Sequence, residues 1–230
     1  MGRVWELHAP FLAPPEPKSI TFRSDGNGGK YVRLQTGDFR NWDWTYISTA
    51  GPRRADVEPN YPDMRAWQGG YFEARIRYSP NRWTWPTFWM FSASKTENWP
   101  VEVCPPLAPL VAEWDILDSG SFDDTPWARD HYHGGLHSNT PYEGDWCGVP
   151  DEQRLYGDAG LDGMDLTQWH TWAGYWTQTP GGGGEMCVYV DDMEIGCHPT
   201  FASTNQPMVP MSAHESVGSR RFPPRPSFGT

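Results

Sequence analysis

Within the stretch Ala112–Gly120, AEWDILDSG, three carboxylates fall within six residues: Glu113, Asp115 and Asp118, set among apolar side chains. Acids this close repel one another, and an apolar setting opposes their ionisation, so the arrangement costs free energy that a purely structural strand has no reason to accept. Two neighbouring carboxylates on the face of a groove are what glycoside hydrolysis requires, one as nucleophile or base and the other as proton donor. The third acid raises a geometric problem. In a flat strand Glu113, Asp115 and Leu117 share one face while Asp118 points the other way, into the core. An unpaired carboxylate there is expensive. One extra residue between Asp115 and Asp118, a β-bulge, returns the third acid to the face of the other two. The competing reading has Asp118, followed by Ser and Gly, merely opening a turn, which leaves Glu113 and Asp115 unexplained.

Aromatic residues nearby fit the same chemistry. Sugar rings present apolar C–H faces that stack on flat aromatic surfaces. The segment WTWPTFWMF supplies Trp83, Trp85 and Trp89, and alternation puts Trp85 and Trp89 on one face. Trp89, then Trp85, are the expected sugar platforms; either could equally be a packed core tryptophan. Trp114, between the two acids, should point into the core. The stretch HYHGGLH carries His131, His133 and His137. His131 and His133 could ligate a metal from one strand face, but no metal is expected. Histidines beside an acidic strand would also suit a lyase acting on uronic acids, although the cationic cluster needed for an acidic polymer is missing apart from Arg75, Arg77 and Arg82.

The elements that must position these groups read as strands. The 230 residues are enough for one domain with a substantial core, and Gly (24), Pro (23) and aromatics are abundant, a composition favouring short strands and many turns. GGYFEARIRY alternates, with Phe72, Ala74, Ile76 and Tyr78 on one face and Tyr71, Glu73, Arg75 and Arg77 on the other. KYVRLQTG and TFWMFS read as further strands. Residues 1–30 read as mostly irregular, and a long polar loop is expected through about 165. No repeat or second composition zone is present, so a single sandwich or barrel over 1–230 is expected. The 14 Trp exceed what a core needs and suggest an exposed aromatic groove. A net charge of −11 opposes binding to nucleic acid, and no apolar run approaches the roughly 20 residues of a membrane span. No signal peptide is visible in MGRVWELHAP. Four cysteines permit two disulfides. Cys187 and Cys197 flank VYVDDMEIG, a hairpin pattern turning near Asp191–Asp192, and Cys104 and Cys147 could tie two loops together. A zinc site lacks any C-x-x-C spacing. Disulfides imply an oxidising compartment, hence secretion.

Several segments together carry a family resemblance. GGYFEARIRYSPNRWTWPTFWMFS followed by EWDILD resembles glycoside hydrolase family 16, particularly its laminarinase-type members, whose strand reads E-x-D-x-x-E. HGGLH, WHTWAGYWT and YVDD match downstream family segments in the same order, from about 30 to 218. The resemblance implies an all-β, concanavalin-like β-jelly-roll sandwich of two curved antiparallel sheets, whose concave cleft binds a polysaccharide and cleaves it with retention. It places Glu113 at the nucleophile, Asp115 at the assisting carboxylate and Asp118 at the acid/base, where the family has Glu. It makes His133 and His137 cleft residues that donate hydrogen bonds to the acids or to sugar hydroxyls. The family's closing strand, reading like D-Y-V-R-V-Y, has no counterpart in RFPPRPSFGT, so a central strand is expected to be missing. No cofactor is expected, and structural calcium is not predicted. The expected protein is a secreted monomeric hydrolase of a β-linked polysaccharide, β-1,3- or mixed-linkage glucan first. The rivals are a weakly active or inactive carbohydrate-binding protein of the same fold and a polysaccharide lyase.

Overall fold

The structure, a computed structural model, describes residues 20–35, 44–49, 66–77, 84–92, 112–118, 132, 134–138, 152–156, 161, 164–165, 167–179, 183–201, 204–205 and 207–216. In chain order the strands are β1 (Ile20–Ser24), β2 (Lys30–Leu34), β3 (Trp44–Ser48), β4 (Gly70–Ile76), β5 (Thr84–Ser92) and β6 (Ala112–Asp118), followed by β7 (Gly135–Ser138), β8 (Glu152–Leu155), β9 (His170–Trp176), β10 (Glu185–Val190), β11 (Met193–Pro199) and β12 (Met208–Ser216). They form an all-β jelly-roll sandwich. A six-stranded sheet has the order β3-β12-β5-β6-β7-β8, a four-stranded sheet the order β11-β10-β9-β4, and β1 and β2 pair separately. Every strand pairing is antiparallel.

One core lies between the two sheets. Phe88, Met90, Trp114 and Ile116 enter it from the larger sheet, and Trp172, Trp176, Met186, Val188 and Val190 from the smaller. The expected alternation of β4 holds over the described residues: Phe72, Ala74 and Ile76 pack on the core, while Tyr71, Glu73, Arg75 and Arg77 are exposed. The sheets pack tightly at Gly174, where a Cβ would lie 2.5 Å from Trp114 Cη2 and 2.7 Å from Ile116 Cδ1. Gly174→Ala would gain about 0.4–1 kcal/mol from the stiffer unfolded chain. Overpacking a rigid core costs about 1–3 kcal/mol, so the clash wins. The variant should unfold at a lower urea concentration than the wild type.

The hairpin β10–β11 forms as its sequence suggests. Asp191 and Asp192 have φ values of 48° and 66°, the two positive angles of a type I′ turn, which short polar side chains tolerate. Cys187 and Cys197 are directly opposed in the register and joined by a disulfide, with their Cα atoms 4.0 Å apart. Cys104 and Cys147 lie outside the described residues.

Two expectations about the elements are corrected. The segment 1–30 is not irregular to its end, because β1 pairs with β2 around the SDGNGG turn. The expected long loop contains β8, the edge strand beside β7. In the larger sheet β12 lies between β3 and β5, pairing with β5 from Met208↔Ser92 to Ser216↔Thr84 and with β3 on its other side; the segment RFPPRPSFGT, where the family's closing strand has no counterpart, lies outside the described residues. The segment MVPMSAHES hides this role because Pro210 cannot donate to a ladder, and a proline normally argues against a central strand.

The turn of the β10–β11 hairpin is tied to the start of β9. His170 Nδ1 lies 2.6 Å from Asp191 Oδ2, His170 Nε2 is 3.0 Å from the Asp165 carbonyl, and the Thr171 N–H donates to Asp191 Oδ1 at 2.8 Å. Burial opposes charging of the His170 ring, but the bond to Asp191, the Asp165 carbonyl and both carboxylates outweigh it, so its pKa is raised. Burial likewise opposes ionisation of Asp191, yet the bonds from His170 and Thr171 hold its pKa below the usual range. The tie is complete between the ordinary carboxylate and imidazole ranges and is lost as pH rises through the elevated His170 pKa. Asp191→Asn keeps a residue that tolerates positive φ but removes the charge. Its stability deficit, read from urea midpoints, should be largest near pH 5–6 and shrink toward pH 8, and a deficit that grew with pH would contradict the pairing.

Candidate active site

The acidic strand β6 sits between β5 and β7. Along its border with β5, Phe91 faces Glu113, Met90 faces Trp114 and Trp89 faces Asp115; the register then shifts, so that Phe88 faces Leu117 and Thr87 faces Asp118. One step on β5 matches two on β6, which makes Ile116 the extra residue of a bulge. The burial pattern agrees. Ile116 and Leu117, adjacent in sequence, are both fully buried in the core, which a flat strand forbids. Beyond the bulge, Asp118 returns to the face of Glu113 and Asp115 and is half-buried. Trp114 is fully buried between the sheets, as expected.

A bulge strands a backbone group that must find another partner. The Tyr132 hydroxyl donates to the Ile116 carbonyl at 3.0 Å. Its ring stacks on Trp172 at 5.7 Å and 23°. Gly134 makes room, since a Cβ there would lie 1.6 Å from the Tyr132 oxygen. Tyr132 and Gly134 therefore position the acids, and the sequence reading missed both. The available signal was the predicted bulge itself, which demands a buried donor, next to a tyrosine and a glycine in HYHGG.

On the other side of β6, His137 faces Glu113 and Gly135 faces Asp115. His137 Nε2 is 3.1 Å from Asp115 Oδ2. Donor atoms of Glu113, Asp115 and His137 all lie within 4.8 Å of one another, a spacing that would also suit a metal ion. Asp115 is only 5% exposed. Burial pushes its pKa up, and the hydrogen bond and charge of His137 pull it part of the way back, leaving it raised. Upstream, the buried Ser92 hydroxyl accepts from Ala112 N–H at 2.7 Å and donates to the Ala112 carbonyl at 3.0 Å, fixing the start of β6.

Trp89 adjoins Asp115 across the β5–β6 border, edge-on to Phe91 at 5.4 Å. It is 9% exposed, so little of its ring is open to solvent. Trp85 belongs to β5 opposite Glu215, its side chain outside the described residues, as are His131, His133 and Trp83. The exposed groove of tryptophans is absent from the described side chains: their exposed large aromatics are Phe22, Tyr71 and Tyr175.

An antiparallel sandwich of a six-stranded and a four-stranded sheet places the chain in the jelly-roll class of fold. Solved structures share it across nearly the whole chain. A glycoside hydrolase family 16 endo-glucanase from Bacteroides ovatus, in complex with G4G3G-2F-DNP, is similar with a TM-score of 0.59 at 15% identity, over 94% of this chain and 82% of that one. The laminarinase catalytic domain from Thermotoga maritima MSB8 gives 0.54 at 14% identity, over 94% and 81%. A kappa-carrageenase from Zobellia galactanivorans gives 0.51 at 17% identity, over 88% and 65%. No protein-family model matches the chain, and no curated protein matches it in sequence.

Proposed function

We propose that this protein is a retaining endo-glycoside hydrolase acting on a β-linked polysaccharide, with β-1,3- or mixed-linkage glucan as substrate. The observation that carries the reading is the bulge at Ile116, which turns Glu113, Asp115 and Asp118 to one face of the larger sheet. A chain whose only need was a stable strand would not assemble three acids beside a histidine on that face. The shared fold with family 16 endo-glucanases and laminarinases supports the same reading.

In the proposed mechanism, Glu113 attacks the anomeric carbon and forms a glycosyl ester, while Asp118 protonates the departing glycosidic oxygen. Asp118, now ionised, takes a proton from water, which attacks the same carbon and releases Glu113. Asp115, its pKa raised by burial and steadied by His137, holds Glu113 by hydrogen bonding and limits repulsion in the cluster. His137, with His133, also meets sugar hydroxyls; Trp85 supplies the stacking face, and Trp89, 9% exposed, offers the sugar only the small open part of its ring. None of these steps requires a cofactor. The disulfide Cys187–Cys197 supports an oxidising, extracellular site of action.

A second reading follows from Asp118 itself. Asp is one methylene shorter than the Glu of the resembled pattern, and a proton donor held too far from the leaving group would leave a carbohydrate-binding protein. Product analysis on laminarin, lichenan, agar, carrageenan and chondroitin separates the cases. New reducing ends without ultraviolet absorbance, first formed with the anomeric configuration retained, are expected on a β-glucan. Absorbing unsaturated ends would mean elimination, and binding with no new ends would mean a sugar-holding protein.

A further inference from the structure

We propose that the outer face of the four-stranded sheet carries a second, non-catalytic site for a neutral polysaccharide chain, built by Tyr71, Tyr175 and Tyr189. The choice of ligand rests on the function proposed above, but the site rests on its own geometry. Side chains of β4, β9 and β10 alternate between the core and the outside. Phe72, Trp172, Trp176 and Val188 point inward, and the residues between them face away from the carboxylate-bearing sheet. On that outer face the register pairs Tyr71 with Tyr175, and Glu73 with Ala173, which in turn faces Tyr189. The rings therefore surround the small Ala173. Together with Thr171 and Asp192 they line a hollow of about 320 Å³, at the lower end of the range for ligand clefts, about 300–1,000 Å³.

Tyr71 and Tyr175 are 56% and 45% exposed. They are the exposed large aromatics of this sheet, although the sheet has a core face where an aromatic ring could be buried. The hydroxyls hold the rings in place: Tyr71 donates to Glu73 Oε2 at 2.7 Å and Tyr189 to Glu194 Oε2 at 3.3 Å. The Glu73 bond, with some burial and the nearby negative charge, pushes the Tyr71 pKa up to about 12, so the phenol stays neutral. An ionised carboxylate accepts about four hydrogen bonds, so Glu73 and Glu194 retain acceptor capacity for sugar hydroxyls. Flat apolar rings with fixed acceptors beside them are the chemistry that recognises a pyranose. Glu73, Asp192 and Glu194 stand beside the rings, with Arg75 opposite Thr171 at the far edge and Arg77 beyond it on the same face. The three carboxylates outnumber the cations and disfavour sulfated or uronic polymers. The absence of aliphatic side chains larger than Ala173 from the lining disfavours a lipid or a protein partner. Because the hollow and the acids lie on opposite sides of the sandwich, a short oligosaccharide cannot reach both, whereas a polymer mat can.

The test uses the full chain carrying Glu113→Gln, so that cleavage does not obscure binding. The probes are insoluble β-1,3-glucan particles in a pull-down, and soluble mixed-linkage β-glucan and κ-carrageenan in affinity electrophoresis. Adding Tyr71→Ala and Tyr175→Ala together should weaken retention on a β-glucan roughly tenfold or more. Tyr71→Phe with Tyr175→Phe should keep it within about threefold, since stacking survives the loss of the hydroxyls. Ala173→Leu fills the floor while preserving every ring, and should weaken retention about fivefold even if the alanine pair folds poorly. In the otherwise wild-type chain, with Glu113 intact, hydrolysis of a short oligosaccharide should be unaffected by the tyrosine changes. Retention unchanged by both the alanine pair and Ala173→Leu overturns the site, as does a Glu113→Gln protein that holds neither β-glucan. Tyrosine-dependent retention without any cleavage by the wild type would keep the site and remove the hydrolase reading; cleavage with tyrosine-independent retention would do the reverse.

Discussion

Glu113→Gln should lower kcat on soluble β-glucan by at least about 10³-fold while leaving the affinity for the polymer within a few-fold. Gln has the shape of Glu but cannot form the glycosyl ester or stabilise the developing oxocarbenium charge, so the loss falls on the transition state rather than on binding. The companion change, Asp118→Asn, should cost about 10²–10⁴-fold on the polymer, the usual contribution of a positioned proton donor. It should cost far less on an aryl glycoside whose leaving group departs without protonation. That contrast assigns the roles, since Glu113→Gln should inactivate both substrates. Asp118→Glu should also lose activity, because the longer side chain would overshoot a backbone already shaped around an aspartate. Equal sensitivity of the two substrates to Asp118→Asn would argue against Asp118 as the acid. A gain from Asp118→Glu would mean that the native acid is held too far back.

The second large effect concerns the bulge. Deleting Ile116 should lower turnover about 10²-fold, by displacing Asp118 relative to Glu113, and destabilise the fold by several kcal/mol, as read by urea denaturation. With one residue gone the strand becomes regular: Leu117 still faces Phe88 and Asp118 still faces Thr87, but Asp118 is drawn to the second position after Asp115. The core loses the buried Ile116 side chain, and the Tyr132 hydroxyl loses the Ile116 carbonyl. Ile116→Ala is the control that keeps the chain length and the bulge. It should cost about 2–5 kcal/mol of stability but retain turnover at temperatures where it stays folded. Tyr132→Phe probes the same feature more gently. Removing the hydroxyl takes away the donor to the Ile116 carbonyl and should cost about 1–3 kcal/mol, with a fall in kcat larger than the change in KM because the acids shift. Full activity in the deletion variant would remove the bulge from the mechanism.

Much of this was legible in the chain. The strict alternation of GYFEARI encodes which face of β4 is buried, because burial of alternate side chains is a local property of a strand. VYVDDMEIG encodes its own turn, since paired short acidic residues tolerate positive φ; the opposition of Cys187 and Cys197 needs in addition a register shift between Val188 and Tyr189, with Ile195 as the extra residue. The bulge could be inferred as well, since three acids and a core cannot otherwise be reconciled within one strand.

What the sequence could not supply depends on partners distant along the chain. MVPMSAHES reads as a poor strand by itself, and only the gap between β3 and β5 makes it central. Tyr132 becomes a positioning residue only because the sandwich brings its hydroxyl to the Ile116 carbonyl, 16 residues away. The tryptophans with described side chains went largely to the core, whereas the exposed aromatics on the smaller sheet are tyrosines. Local pattern fixes which side chains share a face, but which face meets solvent, a neighbouring strand or the opposite sheet is decided by long-range packing, where the largest apolar areas are removed from water.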